Sequence, residues 1–172
     1  EVAAPMERSL LRTDKEITRL YETHVDMVYR LCFTMLKNRF DTEDAVQNTF
    51  IKLMHHTKPF DSTEHEKAWL IVTASNTCKD TLQRASRREE PLELQAELPA
   101  PSDADPASGA VLDAVLALPM KYRVPVYLYY YEGYSGAEIA AMLHKPASTI
   151  RNHLREARQT LKKQLGGDFD AG

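Results

Sequence analysis

The fold class predicted by this 172-residue sequence is all-α, two small helical units joined by a flexible acidic linker. Three observations predict it. Apolar residues recur at three- and four-residue spacing, and no segment sustains the period-two alternation of a half-buried strand. Three Ser/Thr-x-x-Glu signatures mark helix starts: Thr13 with Glu16, Thr63 with Glu66, and Ser135 with Glu138. Residues 89–109 break the pattern with Pro91, Pro99, Pro101 and Pro106 among six acids and no base. Such a stretch has too little apolar surface to offset its ordering entropy.

The elements follow in order. Thr13 and Glu16 open a first helix with the stripe Ile17, Leu20, Tyr21, Val25, Val28, Leu31, Cys32, Met35 and Leu36. Asn38 to Phe40 ends it. Asp41 is placed to cap a second helix, with Ala45, Val46, Thr49, Phe50 and Leu53 facing inward. A loop runs from His55 to Thr63, and the box of Thr63 and Glu66 starts a long helix reaching Arg84 or beyond. After the linker, Val111 to Leu118 is a short helix. Pro119 suits the first turn of the next, which runs to Glu132 with a bend expected at Pro125. Gly133 ends that helix. Ser135 and Glu138 start a short one with Ile139, Ala140, Met142 and Leu143 on its apolar face. A turn from His144 to Ala147 leads to the last helix, lined by Ile150, Leu154, Ala157, Leu161 and Leu165 and stopped by Gly166 and Gly167. Counted from the first methionine, Met6, the expected units are residues 6–88, a linker 89–109, and residues 110–166.

Composition narrows the function. An apolar share of 43% and a charged share of 27% are ordinary for a globular chain. No apolar run approaches the roughly 18 residues of a membrane helix. No basic segment followed by an apolar one opens the chain, so no secretory leader is expected. The net charge of −3 conceals a pattern: residues 1–88 hold 14 Lys/Arg against 13 Asp/Glu, and residues 110–165 hold eight against four. The last block can hold a polyanion. Cys32 and Cys78 lie among apolar residues and outside any CxxC spacing. They read as buried free thiols in a reducing compartment, with a disulfide or a metal role as alternatives. HExxH and clustered Cys/His patterns are missing from the sequence, so no metal site, cofactor or catalytic residue is expected.

A short helix, a tight turn, then a helix with an apolar inner stripe and a basic outer stripe is a helix-turn-helix pattern. The outer residues are Arg151, Asn152, Arg155, Gln159 and Lys162, flanked by Arg158 and Lys163. Arg pairs bidentately with guanine and Asn with adenine, and Ser148 and Thr149 at the helix start can donate to phosphate. Glu156 interrupts the basic stripe. It can accept from a cytosine amino group, pair with a cation, or face sideways.

At these positions the sequence resembles bacterial sigma factors of the extracytoplasmic-function group. Leu118-Pro119, Arg123, Glu132-Gly133, Glu138-Ile139-Ala140, Pro146, Thr149-Ile150 and Ala157-Arg158 are similar to region 4. Tyr29-Arg30-Leu31, Asp41, Glu43-Asp44, Gln47 and Phe50 are similar to regions 2.1 and 2.2. Trp69-Leu70, Asn76, Asp80, Arg84, Arg87 and Arg88 are similar to regions 2.3 and 2.4. The resemblance implies a promoter-specificity factor that binds core RNA polymerase through the β′ clamp helices and the β flap. Asp44, Gln47, Asn48 and Ile51 are the implied polymerase face. Asn76, Lys79, Arg84, Arg87 and Arg88 are the implied −10 contacts on a duplex being melted, with Asn76 alternatively a structural hydrogen bonder. Ser148, Thr149, Arg151, Asn152, Arg155, Arg158 and Lys162 are the implied −35 contacts on double-stranded DNA. Trp69 is either a stacking platform for a base or core. An anti-sigma factor is an expected partner, and no small-molecule substrate is. The chain is expected in the cytoplasm, meeting the membrane only through an anti-sigma factor.

Three residues or groups depart from that pattern. Asp61, Glu64 and Glu66 put acid beside an expected DNA face. His144 stands where a glycine is common, in a turn that needs positive φ, which His tolerates better than most residues. Glu156 stands where a base is common. A rival is a one-component regulator, because Asn152-His153-Leu154 also resembles LuxR-type recognition helices; residues 1–88, however, lack the β/α alternation of a receiver domain.

Overall fold

The structure, a computed structural model, describes residues 11–88 and 106–166, which hold seven helices and no strand. Most of the expected linker, the start of the first unit and Gly167 lie outside the described residues. The amino-terminal half is α1 (Asp14–Leu36), α2 (Arg39–His55) and α3 (Thr63–Arg88). The carboxy-terminal half is α4 (Pro106–Leu116), α5 (Met120–Tyr130), α6 (Gly136–Leu143) and α7 (Ala147–Leu165). α4 therefore begins at a proline inside the stretch read from sequence as linker. Proline suits a first helical position, where its missing N–H is not needed.

Local chemistry sets the helix starts. Thr13 Oγ1 accepts from the Glu16 N–H at 3.3 Å. The Glu16 carboxylate does not complete a box, because Arg12 Nη1 draws it at 3.4 Å. The second helix is capped by Asn38 rather than Asp41: Asn38 Oδ1 accepts from the Asp41 N–H at 2.8 Å, and its amide donates to the Asp41 carboxylate at 2.7 Å. The third is capped by Ser62 rather than Thr63, with the His65 N–H donating to Ser62 Oγ at 3.1 Å. The box of Ser135 and Glu138 forms in full, both bonds at 3.2 Å. α5 runs through Pro125 to Tyr130 and ends two residues earlier than expected, leaving Glu132 in the following turn. There Gly133 takes φ +75°, a conformation that other L-residues rarely adopt.

Each inner stripe read from the sequence is at least partly buried, except Tyr21, which is exposed while its ring meets Phe50 edge-on. The interior of the amino-terminal half includes Leu20, Val28, Leu31, Leu53, Leu70 and Ile71, all fully buried. Burying each such side chain contributes about 1.5–3 kcal/mol. Cys32 and Cys78 are free, fully buried and hydrogen-bonded to each other across α1 and α3. In the carboxy-terminal half, α4, α5 and α6 pack on α7. The halves also meet each other, α5 against α1 and α6 against α3. Buried apolar residues connect through both halves as one cluster.

Glu66 is the principal buried acid of the amino-terminal half. Arg19 Nη2 donates to it at 2.8 Å and His24 Nε2 lies 2.9 Å away. Burial alone would raise its carboxyl, but the bonds to Arg19 and His24 hold it below the ordinary 4.5. The residue expected to cap α3 instead pins α3 to α1.

Candidate nucleic-acid interface

The carboxy-terminal surface is built on α6 and α7. His144 ends α6 at φ 55°, and the Lys145 N–H donates back to the Ala140 carbonyl at 2.9 Å. This bond closes a left-handed helix end and turns the chain sharply into α7. Along α7, Ile150, Leu154, Ala157 and Leu161 are buried. That inner stripe fixes the opposite face outward: Ser148, Arg151, Asn152, Arg155, Gln159, Lys162 and Lys163 are exposed, and Thr149 is half-buried.

Arg158 stands apart from the others. It is half-buried, its guanidinium lies 5.8 Å over the Tyr129 ring, and its Nε has no hydrogen-bond partner. It borders the contact between α5 and α7. Glu156 takes the sideways alternative, accepting a hydrogen bond from the Tyr122 hydroxyl. His153 meets the same Tyr122 ring edge-on at 5.3 Å. The acid that interrupts the basic stripe is thus tied to α5.

A second polar stripe runs along α3. Asn76, Lys79, Arg84 and Arg87 are all exposed, Asn76 and Arg87 nearly in line along the helix and Lys79 and Arg84 on opposite sides of that line. Arg88 ends α3, and its side chain lies outside the described residues. Above the stripe, Trp69 is half-buried, with the His56 ring 4.6 Å and the Phe60 ring 5.9 Å away. Arg12 lies 4.6 Å over Phe60 and donates to the Lys58 carbonyl at 2.5 Å, which fixes the loop between α2 and α3. Of the acids that sit awkwardly here, Glu66 is turned into the core, while Asp61 and Glu64 stay exposed.

On α2, Asp44, Gln47 and Ile51 are exposed and Asn48 half-buried. Phe40, read from sequence only as part of a helix end, is 82% exposed. It stands four residues before Asp44, so Phe40, Asp44, Gln47 and Ile51 form one stripe at spacings of four, three and four. The signal was an apolar residue just inside a capped helix, with no inner stripe to join.

The two halves match known families separately and in order. Residues 20–88 match the model of sigma-70 region 2, and residues 108–161 match that of sigma-70 region 4. The chain belongs to the sigma-70 family, in its extracytoplasmic-function group. Among curated sigma factors, SigW of Bacillus subtilis is 28% identical over 165 residues, covering 85% of this chain and 87% of its own. SigE of Mycolicibacterium smegmatis is 34% identical over 155 residues, 85% of this chain and 60% of its own. The fold of this sigma factor is shared with a sigma factor from Bartonella quintana, RpoE, solved with the anti-sigma factor NepR. That likeness has a TM-score of 0.73 at 20% identity and covers 90% of this chain and 99% of that one. CnrH, solved with the cytosolic domain of CnrY, has a TM-score of 0.61 at 22% identity, covering 91% of each chain. The region 2 match of the amino-terminal half does not favour the reading as a LuxR-type regulator. Among the described residues, no helix is long and apolar enough to cross a membrane.

Proposed function

We propose that this sigma factor directs core RNA polymerase through three faces on three helices. The α2 stripe of Phe40, Asp44, Gln47 and Ile51, with Asn48 beside it, meets the polymerase β′ clamp helices. The α3 stripe of Asn76, Lys79, Arg84, Arg87 and Arg88 holds the −10 element as it melts, with Trp69 at its upper edge. The α7 stripe reads the −35 element, Arg151, Asn152 and Arg155 near base edges and Lys162 on phosphate. Arg158 acts at the margin of that stripe, through the face it shares with Tyr129. The carboxy-terminal half also meets the β flap. The chain is a cytoplasmic binding factor without catalysis of its own, restrained by an anti-sigma factor, as the relatives solved with such partners suggest.

The observation that carries this reading is the pair of exposed cationic stripes on α3 and α7, each in a half with its own family match. Run-off transcription with purified core polymerase and a promoter panel tests it. The expected result is a promoter-specific transcript that depends on the chain. Loss of that transcript in Arg151→Ala, with core binding intact, would support the α7 assignment. An unchanged choice of promoters in that variant would refute it.

A further inference from the structure

The acid inside the basic helix α7 is held by a residue of another helix. Arg151, Arg155, Arg158 and Lys162 recur along α7 at spacings of four, three and four, and make one flank cationic. Thr149, His153, Glu156 and Thr160 recur at the same spacings on the opposite flank. α5 touches both flanks. The Arg158 guanidinium lies 5.8 Å over the Tyr129 ring, and the Tyr122 hydroxyl donates to the Glu156 carboxylate. These two tyrosines are seven residues apart, two turns along one face of α5.

The Tyr122 ring is itself fixed. The Tyr122 N–H donates to the Pro119 carbonyl at 3.0 Å where α5 begins. The His153 ring meets the phenol edge-on at 5.3 Å, and Lys121 Nζ lies 4.8 Å over its face. Its hydroxyl is thus presented to Glu156 by a ring with little freedom to turn. Glu156 is exposed, so water is the alternative partner of its carboxylate. The bond therefore decides where the charge lies more than how stable the fold is. A helix in the major groove runs between two phosphate backbones. The cationic flank suits one of them. On the other flank, a free carboxylate at Glu156 repels phosphate and stands beside Asn152, one turn earlier on the outer face. Bound to Tyr122, that carboxylate is drawn toward α5.

We propose that Tyr122 is a positioning residue for reading the −35 element: its hydroxyl holds the Glu156 carboxylate against α5, clear of the phosphate backbone that passes along that flank of α7. The proposal rests on the α7 function proposed above. Tyr122 touches no DNA in this role and acts through Glu156. It lets Asn152 and the cationic flank work on a helix that also carries an acid.

The test uses holoenzyme, made from core polymerase and a saturating amount of the full chain, on the promoter that the run-off panel selects. Tyr122→Phe keeps the ring and its contact with His153 and removes only the hydroxyl. It should weaken promoter binding roughly 5-fold at low salt, toward the lower end of what Coulomb's law gives two unit charges about 7 Å apart. The deficit should shrink as salt rises, because the repulsion is screened. Glu156→Gln should bind at least as tightly as the wild type. Combining Tyr122→Phe with Glu156→Gln should match Glu156→Gln alone within about 2-fold, since the hydroxyl matters only while the carboxylate is charged. A structural role for the hydroxyl would leave the loss in place in the double variant, and that result overturns the proposal. So does wild-type affinity in Tyr122→Phe. A loss in Glu156→Gln confined to one base pair overturns it too, because Glu156 would then be a base reader. Arg151→Ala in the same series separates the two claims. If it loses affinity while Tyr122→Phe does not, the positioning role fails and the α7 function stands. If neither variant loses affinity, the α7 function fails and takes the positioning role with it.

Discussion

Inside the amino-terminal half, the space between α1, α2 and α3 is filled by fully buried side chains such as Leu31, Leu53, Leu70 and Ile71. Between the halves, the specific contacts are polar: Glu132 with Lys67 and Arg30, and Arg123 with the Met35 carbonyl. Both interfaces join to one apolar cluster, but they differ in what their parting costs and in what changes that cost. Apolar burial is non-directional and carries no charge for ionic strength to screen or for moderate pH to titrate. A charged seam can be tuned by ionic strength, by pH or by a competing charged partner. The seam between the halves thus carries charge-dependent contacts beside its apolar ones, while the interior of the amino-terminal half is mainly apolar around the single ion cluster of Glu66.

The largest expected effect tests the apolar side of that contrast. Leu70→Ala removes a fully buried side chain from α3. It should cost about 2–5 kcal/mol in denaturant unfolding. A loss under about 1 kcal/mol would mean that this interior collapses readily around a cavity, and the contrast would fail on that side. Next is Arg123, which is 5% exposed and donates to the Leu116 and Leu118 carbonyls of its own half as well as to Met35 across the seam. Arg123→Met keeps most of the volume and leaves those carbonyls short of a donor. It should cost about 1–3 kcal/mol. Small-angle X-ray scattering on the same variant shows whether the halves also part.

A buried ion cluster within one half provides the intermediate case. Glu66 is held below its ordinary 4.5 in the folded chain, so its contribution is fully present above that value. It is lost as pH falls through the lower, folded value. Urea midpoints measured from neutral pH downward should therefore fall below about pH 4.5, and Glu66→Gln should flatten that limb. An equally steep limb in the variant would place the acid sensitivity elsewhere. The smallest effect on stability belongs to the free surface. Lys162→Ala should leave unfolding within about 0.5 kcal/mol of the wild type. It should also flatten the salt dependence of duplex binding by about one unit, equally for all sequences. A sequence-dependent loss would move Lys162 from the phosphates to the base edges.

The helices and their inner stripes were legible because each rests on a short-range period. Ile150, Leu154, Ala157 and Leu161 are buried as that period requires. Cap positions were less legible, since candidate residues stand close together. Asn38 competes with Asp41, and Ser62 with Thr63, and only backbone geometry chooses between them. Glu66 matched a capping signature and was claimed by Arg19 and His24 instead, 47 and 42 residues away. The same blindness hid the seam: Lys67 and Glu132 are brought together by tertiary packing, which leaves no periodic trace. The helical wheel set Arg158 on the flank of the outer stripe, and there it lies half-buried over the Tyr129 ring. The α7 stripe was legible because an inward apolar stripe fixes its opposite face, whereas the α3 residues came from the family resemblance alone.

The contact of Cys32 and Cys78 deep in the amino-terminal half has a kinetic consequence. Their mutual hydrogen bond and their burial push the Cys78 thiol well above its ordinary range. A thiolate is the form that reacts, and the raised Cys78 thiol all but lacks it at neutral pH, while Cys32 is shielded from reagents by its burial. Alkylating or oxidising reagents must therefore wait for α1 and α3 to separate, and each modified chain records one such opening. The pair is a built-in clock, without any added label, for how often α1 and α3 come apart.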